Sequence, residues 1–117
     1  MGVGMVILSV LLAAAFAIAG GSKLAGVGQM RDAAAHLGIP YSRYRTIGVL
    51  ELAAAAGLLM GLVVAALGAA AAIGLVLVMI GALILHRRAH DPPAAMAPAA
   101  VLLILAIGVV LLRIITA

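Results

Sequence analysis

The chain has 117 residues, 68% of them hydrophobic, and a mean hydropathy of +1.43. Soluble domains are only about half apolar, so this composition indicates an integral membrane protein, and the length allows a single domain, residues 1–117. The chain has no cysteine, which excludes intrinsic thiol chemistry. Its formal charge of +4 comes without an aromatic-rich soluble domain, so we expect the lipid bilayer as its partner and no nucleic acid.

The first predicted membrane span covers about residues 2–23. It carries no charged side chain before Lys23 and is long enough to cross the hydrocarbon core of a bilayer. Small residues at Ala15, Ala17 and Ala19 offer the alternative of a cleaved signal peptide. The basic segment that precedes the apolar run of such a peptide is missing, so a membrane span is favoured.

The next predicted element is a short interfacial helix over about residues 24–37. Its apolar residues recur at helical spacing, which is typical of a helix that lies along a membrane surface. Gly38 and Pro40 predict its end, because glycine is favoured just past a helix and proline does not continue one. The apolar side consists of Leu24, Val27, Met30, Ala34 and Leu37, and the polar side of Gln29, Asp32 and His36.

Three further spans are predicted at about residues 45–64, 67–86 and 95–114. The run from Ile47 to Leu85 is about twice as long as one span, so it predicts two helices joined by a tight turn near Val64 to Gly68. The predicted fold is therefore an all-α membrane protein, an antiparallel four-transmembrane-helix bundle with a short interfacial amphipathic helix between spans one and two.

The basic residues predict the orientation in the membrane. All of them except Arg113 lie in the segment from Lys23 to Arg45 or in the loop from His86 to Asp91. By the positive-inside rule these segments are cytoplasmic, which predicts that both termini are extracytoplasmic in the cytoplasmic (inner) membrane of a prokaryote. Arg113 is expected to snorkel to the interface at the far end of the last span.

Glu51 is the one charge in the run from Ile47 to Leu85, where an unpaired carboxylate costs about 3 kcal/mol or more. Lys23 closes span one and His86 closes span three at similar depth, so these three residues form the candidate polar site. The alternative is structural, with Lys23 snorkelling and Glu51 paired to Arg45 or Arg43. Further polar neighbours of the candidate site are Arg45, Arg88, His90 and Asp91.

No metal site is predicted. His86 and His90 have the spacing of two ligands on one helical face, but the two prolines that follow Asp91 indicate that the helix is already ending. The pattern identifies no catalytic residue.

A possible packing face follows Glu51 in span two. It consists of small residues at four-residue spacing, Ala53, Gly57, Gly61 and Ala65. Such a ridge allows a second helix to approach closely, either within this chain or from a partner subunit, a homo-oligomer included.

Several short motifs in fixed order resemble the DoxX-like family of small four-helix membrane proteins, over about residues 17–98. They are Gly20 and Lys23-Leu24, Leu37-Gly38-Ile39-Pro40, Ile47-Gly48, Glu51-Leu52-Ala53, His86-Arg87, Asp91 and Pro98. The resemblance implies that Lys23, Glu51 and His86 occupy recurring polar positions. The family is named for a small subunit associated with a quinol oxidase, so the resemblance also implies membrane redox assemblies as partners.

Three functions are kept as hypotheses. The first is an accessory subunit that stabilises a larger membrane complex of redox or transport type. The second is a small membrane enzyme or binding protein for a quinone, isoprenoid or acyl lipid, with Glu51 as acid or base and His86 as proton shuttle. The third is a proton-coupled small transporter that uses Glu51. No intrinsic cofactor is expected, and a bound quinone or lipid is the alternative.

Overall fold

The computed structural model describes residues 2–26 and 28–116, and all regular structure within these ranges is helical. The all-α class predicted from the sequence is therefore confirmed. The described helices are α1 (Val3–Ala25), α2 (Gly28–His36), α3 (Tyr41–Met60), α4 (Ala65–Arg88) and α5 (Pro93–Thr116).

Three of the described helices, α1, α4 and α5, are long and apolar enough to cross a membrane. Helix α3 has 20 residues, but it carries three charged side chains, Arg43, Arg45 and Glu51, and is not among them. By length and composition alone, the described residues thus supply three candidate spans where the sequence predicted four.

The long helices pack side by side. Helix α1 packs mainly on α3, α3 on α4 and α4 on α5, and α1 also contacts α5. Their shared core is centred on Leu12, Phe16, Leu58, Leu75 and Val109. Many large apolar side chains point outward instead, and Ile18 is 71% exposed and Ile104 67% exposed. An outer surface of this kind is suited to lipid and not to water.

The helix expected over residues 24–37 is shorter than predicted. Leu24 belongs to α1, which ends at Ala25 because Gly26 adopts a left-handed conformation with φ of 70°. Helix α2 then starts at Gly28, and Val27 lies outside the described residues. At the other end Gly38 also has positive φ, 76°, and its N–H donates to the carbonyl of Ala35.

The turn between α3 and α4 was expected at Val64 to Gly68 and instead occupies Gly61 to Val64. Gly68 is a contact residue within α4, because a Cβ added there would lie 3.0 Å from the Cα of Gly61. By sequence either glycine is suited to a turn. The close contact between them is made with Gly68 inside α4 and Gly61 in the turn.

The predicted small-residue ridge is divided by this turn. Ala53 and Gly57 lie in α3, Gly61 follows its last residue, and Ala65 begins α4, so the four do not form one helical face. Gly57 lies against α4, where an added Cβ would come within 2.8 Å of the Cβ of Ala71. The close contact made by the glycines is therefore intramolecular.

Candidate functional site

The site begins where α1 crosses α3. A Cβ added to Gly20 would lie 2.6 Å from the carbonyl oxygen of Gly48, and one added to Gly48 would lie 2.8 Å from the Cβ of Lys23. Only glycine lets two backbones approach this closely. The crossing positions Lys23, one turn beyond Gly20 in α1, opposite Glu51, one turn beyond Gly48 in α3.

Lys23 and Glu51 form a buried ion pair. Nζ of Lys23 is 2.7 Å from Oε1 of Glu51, and the two side chains are 15% and 3% exposed. That oxygen accepts no hydrogen bond of ordinary geometry. We nevertheless treat the contact as an ion pair, because Coulomb attraction depends on distance and not on angle. Arg43 and Arg45, the alternative partners, are exposed.

Two tyrosines in the first turn of α3 complete this contact. The hydroxyl of Tyr41 donates a hydrogen bond of 2.5 Å to the carbonyl of Lys23, and Nζ of Lys23 lies 5.2 Å from the ring centre of Tyr44. Neither tyrosine was predicted as part of the site. The sequence does contain a pattern that indicates their place beside Glu51. The three- and four-residue spacing of Tyr41, Tyr44, Gly48 and Glu51 is that of one helical face.

A cavity of about 390 Å³ adjoins the ion pair and is called the main pocket here. Its volume lies within the range of small-molecule sites, and its walls are mostly apolar. All three residues predicted for the polar site, Lys23, Glu51 and His86, line it. The remaining lining residues are Leu37, Tyr44, Ile47, Val78, Met79, Gly81, Ala82, Ile84 and Leu85.

Asp91 lies behind His86, in the turn between α4 and α5. Nδ1 of His86 is 2.6 Å from Oδ2 of Asp91, and Nε2 of His36 makes a second short contact with Oδ1. The hydrogen bonds from His86 and then from His36 hold the pKa of Asp91 below its usual value. The carboxylate side chain is only 9% exposed, whereas His36 is 58% exposed.

The other predicted neighbours do not reach the main pocket. Arg45 and His90 are exposed, and His90 has a φ of 59° that turns the chain after α4. Arg88 lines a separate cavity of about 210 Å³ beside His36. Across residues 2–26 and 28–116, no three side chains of His, Asp or Glu are arranged to hold a metal ion.

Arg113 is buried, and the prediction that its side chain snorkels to the interface is wrong. It was expected to snorkel, but the residue is 9% exposed, and its Nη2 donates a 2.8 Å hydrogen bond to the carbonyl of Gly61. The guanidinium lies against Gly61 and Gly68, where an added Cβ would collide with it. Two glycines thus form a slot for it, and the negative end of α3 attracts its charge.

Comparison with known proteins gives a family. The sequence profile of the DoxX-like family matches residues 7–109, which is most of the chain. No curated protein and no solved structure gives a significant match. The chain belongs to the DoxX-like family.

Proposed function

We propose that this DoxX-like protein binds a lipid-like molecule in the membrane, with the polar group of that molecule held in the main pocket. The observation that carries the proposal is the ion pair between Lys23 and the buried Glu51 at the edge of a mostly apolar cavity of about 390 Å³. A charge pair inside a membrane protein is costly to bury, and a functional role is the default interpretation.

The proposal treats α3 as a fourth membrane span. Arg43 and Arg45 lie in its first two turns, at the level expected of the interface, and Glu51, the only charge beyond them, is neutralised by Lys23. Its position between α1 and α4 supports the same assignment. Because the basic residues gather at this end, the pocket would open toward the cytoplasmic leaflet of a prokaryotic inner membrane, with both termini outside.

The chemistry of the lining defines the class of ligand. Lys23 supplies hydrogen-bond donors, Glu51 supplies acceptors, and His86 supplies either, according to its protonation. Leu85, Met79 and similar side chains would surround a hydrocarbon tail. A quinone, an isoprenoid or an acyl lipid satisfies both requirements. If the bound molecule reacts, Glu51 and His86 are the groups placed to move a proton.

The test is retention of a ligand by purified protein. Native mass spectrometry of protein extracted in mild detergent should detect one lipid-like molecule per chain. Lys23→Met/Glu51→Gln should release it, because this double variant removes the polar contacts without leaving an isolated buried charge. The exposed Arg45→Gln is the matched control and should retain it. A native protein without such a molecule, or a double variant that keeps it, would contradict the proposal.

A second candidate is an accessory role in a larger membrane complex, and a groove between α3 and α4 favours it. The groove has a volume of about 530 Å³, and the small residues Ala53, Ala70 and Gly74 line it. A helix of a partner subunit, or of a second copy, could approach closely there. Ala53→Leu/Gly74→Leu should then dissociate the protein from its complex on blue-native electrophoresis, while Ala14→Leu, exposed on α1, should leave the complex intact.

A further inference from the structure

Helix α2 is attached to the rest of the protein mainly on one side. It packs against α3, where Ala34 is buried and the guanidinium of Arg31 lies 4.4 Å from the ring centre of Tyr41. Glycines with positive φ flank the helix, Gly26 before it and Gly38 after it. Helix α2 is thus a short segment between two glycine turns, supported by α3.

On its other side, the end of α2 is separated from the end of α4 by a cavity. This space of about 210 Å³ lies between residues such as His36 and Gly38 on one side and Leu85 and Arg88 on the other. The hydrogen bond from His36 to Asp91 spans the two sides. Among residues 28–116, this is the one side-chain hydrogen bond that connects the end of α2 with the segment after α4.

The same carboxylate also binds a residue that lines the main pocket. Oδ1 of Asp91 binds His36 at the end of α2, and Oδ2 binds His86, which lines the pocket. Leu37, the residue after His36, lines the pocket as well. A movement of α2 away from α4 would therefore withdraw part of the pocket wall and free one oxygen of the carboxylate that holds His86.

We propose that α2 is a lid over the main pocket, that Asp91 is the latch that keeps it closed, and that the same carboxylate orients His86 toward the ligand. The proposal rests on the proposed function only in assuming that a ligand occupies the pocket. Asp91 is then a positioning residue, because it acts through His36 and His86 and is not itself part of the pocket lining.

The orientation of His86 follows from its hydrogen bond. When Nδ1–H donates to a carboxylate, the hydrogen is fixed on that nitrogen, and Nε2 is the ring nitrogen left for another partner. In a neutral ring Nε2 is an acceptor, so it would receive a hydroxyl or N–H group of the ligand. Loss of Asp91 would release the ring to rotate and to exchange tautomers.

The lid is tested by a distance measurement that needs no ligand. Because the chain has no cysteine, spin labels can be attached at Ala35→Cys on α2 and Ala94→Cys on α5, both exposed. Pulsed electron paramagnetic resonance in lipid nanodiscs should give one narrow distance for the native latch. Asp91→Asn should add a population at longer distance. Asp32→Asn, which removes an exposed carboxylate from α2 itself, is the matched control and should not.

His36→Leu provides a second variant at an exposed position, in case Asp91→Asn does not fold. It should produce the same longer distance while leaving the bond between His86 and Asp91 in place. An unchanged distance distribution in His36→Leu, or in a folded Asp91→Asn protein, would overturn the lid. A bound molecule, where one is present, should leave either variant about tenfold faster, the factor expected for loss of one charge-assisted hydrogen bond.

The orientation of His86 is tested by ¹⁵N nuclear magnetic resonance of the three histidines. His36→Gln and His90→Asn identify the signals of the other two by difference. His86 should carry its hydrogen on Nδ1 in the native protein, and this preference should be lost in Asp91→Asn but retained in Asp32→Asn. A native His86 with a bare Nδ1 would overturn the orienting role. Both measurements are made without ligand, so they distinguish failure of the lid from failure of the proposed function.

Discussion

At each end of the helix assembly a positively charged side chain contacts a buried partner, and the two ends do this in different ways. At one end Lys23 pairs with Glu51 beside a cavity of about 390 Å³. At the other end Arg113 donates to the backbone carbonyl of Gly61 and fills a slot formed with Gly68. A cavity adjoins the ion pair, whereas the guanidinium of Arg113 itself fills the space between Gly61 and Gly68. The volume beside the ion pair, and not burial alone, is therefore the reason to propose a binding site at the first end.

The largest effect is expected from breaking the ion pair. Lys23→Met leaves Glu51 buried without its counter-charge, which should reduce the free energy of unfolding by about 3–5 kcal/mol. Lys23→Met/Glu51→Gln should recover most of this loss, because no isolated charge remains. Reversible denaturant unfolding in detergent micelles measures both. Equal losses in the single and the double variant would show that the pair is not energetically coupled.

Arg113→Met should reduce the free energy of unfolding by less, and it should show whether the two ends of the helix assembly have different roles. It removes the hydrogen-bond donor of the Gly61 carbonyl, and an unsatisfied buried carbonyl costs about 1–3 kcal/mol. The same unfolding experiment gives the loss, and native mass spectrometry of the purified variant should show ligand retention unchanged. Loss of the ligand from a folded Arg113→Met protein would mean that the far end also serves the site.

Gly20→Ala tests the crossing that brings the ion pair together. The new Cβ would lie 2.6 Å from the Gly48 carbonyl, so α1 and α3 must separate. We expect a net loss of about 1–2 kcal/mol, because the overpacking cost exceeds the gain from replacing a helical glycine. Gly21→Ala is the matched control, since no atom lies within 4 Å of its added Cβ. Equal stabilities of the two variants would contradict the close crossing.

The smallest expected effect is the pH dependence that Asp91 gives to the stability of the folded protein. Its pKa is lowered in the folded protein, so its contribution to stability is fully present above the usual carboxyl value of 3.8 and is lost as the pH falls through the lowered value. The difference in melting temperature between the native protein and Asp91→Asn should therefore shrink on acidification below about pH 4. Asp32→Asn, which removes an exposed carboxylate from α2, is measured beside it as the control variant. A difference that grows on acidification would reverse the assigned sign.

The sequence predicted the helical class and the residues at the candidate site more readily than the ends of the elements. Hydrophobic periodicity and span length determine where helices can lie, and the need of Glu51 for a partner at its own depth pointed to Lys23. The structure shows this ion pair at 2.7 Å. That the pair, with His86, serves a ligand stays a prediction.

What the sequence did not predict depends on contacts between distant residues. By sequence either Gly61 or Gly68 could form the turn between α3 and α4. In the structure Gly61 lies in the turn, and Gly68 lies within α4, where it contacts Gly61. Arg113 near the end of an apolar helix follows the pattern of a snorkelling residue, and only the slot between those glycines makes burial favourable. Local patterns contain no information about such pairings.

The hydrogen bond from Arg113 to Gly61 also has a consequence for biosynthesis. It joins residues 52 positions apart, so the donor is synthesised after all of α3 and α4. During translation, N-terminal segments are available to fold before C-terminal ones. The turn between α3 and α4 therefore lacks this hydrogen bond until Arg113 has been added to the chain. In a chain truncated before Arg113, protease should cut the turn from Gly61 to Val64 faster than in a chain that contains Arg113, and equal rates of cleavage would contradict this consequence.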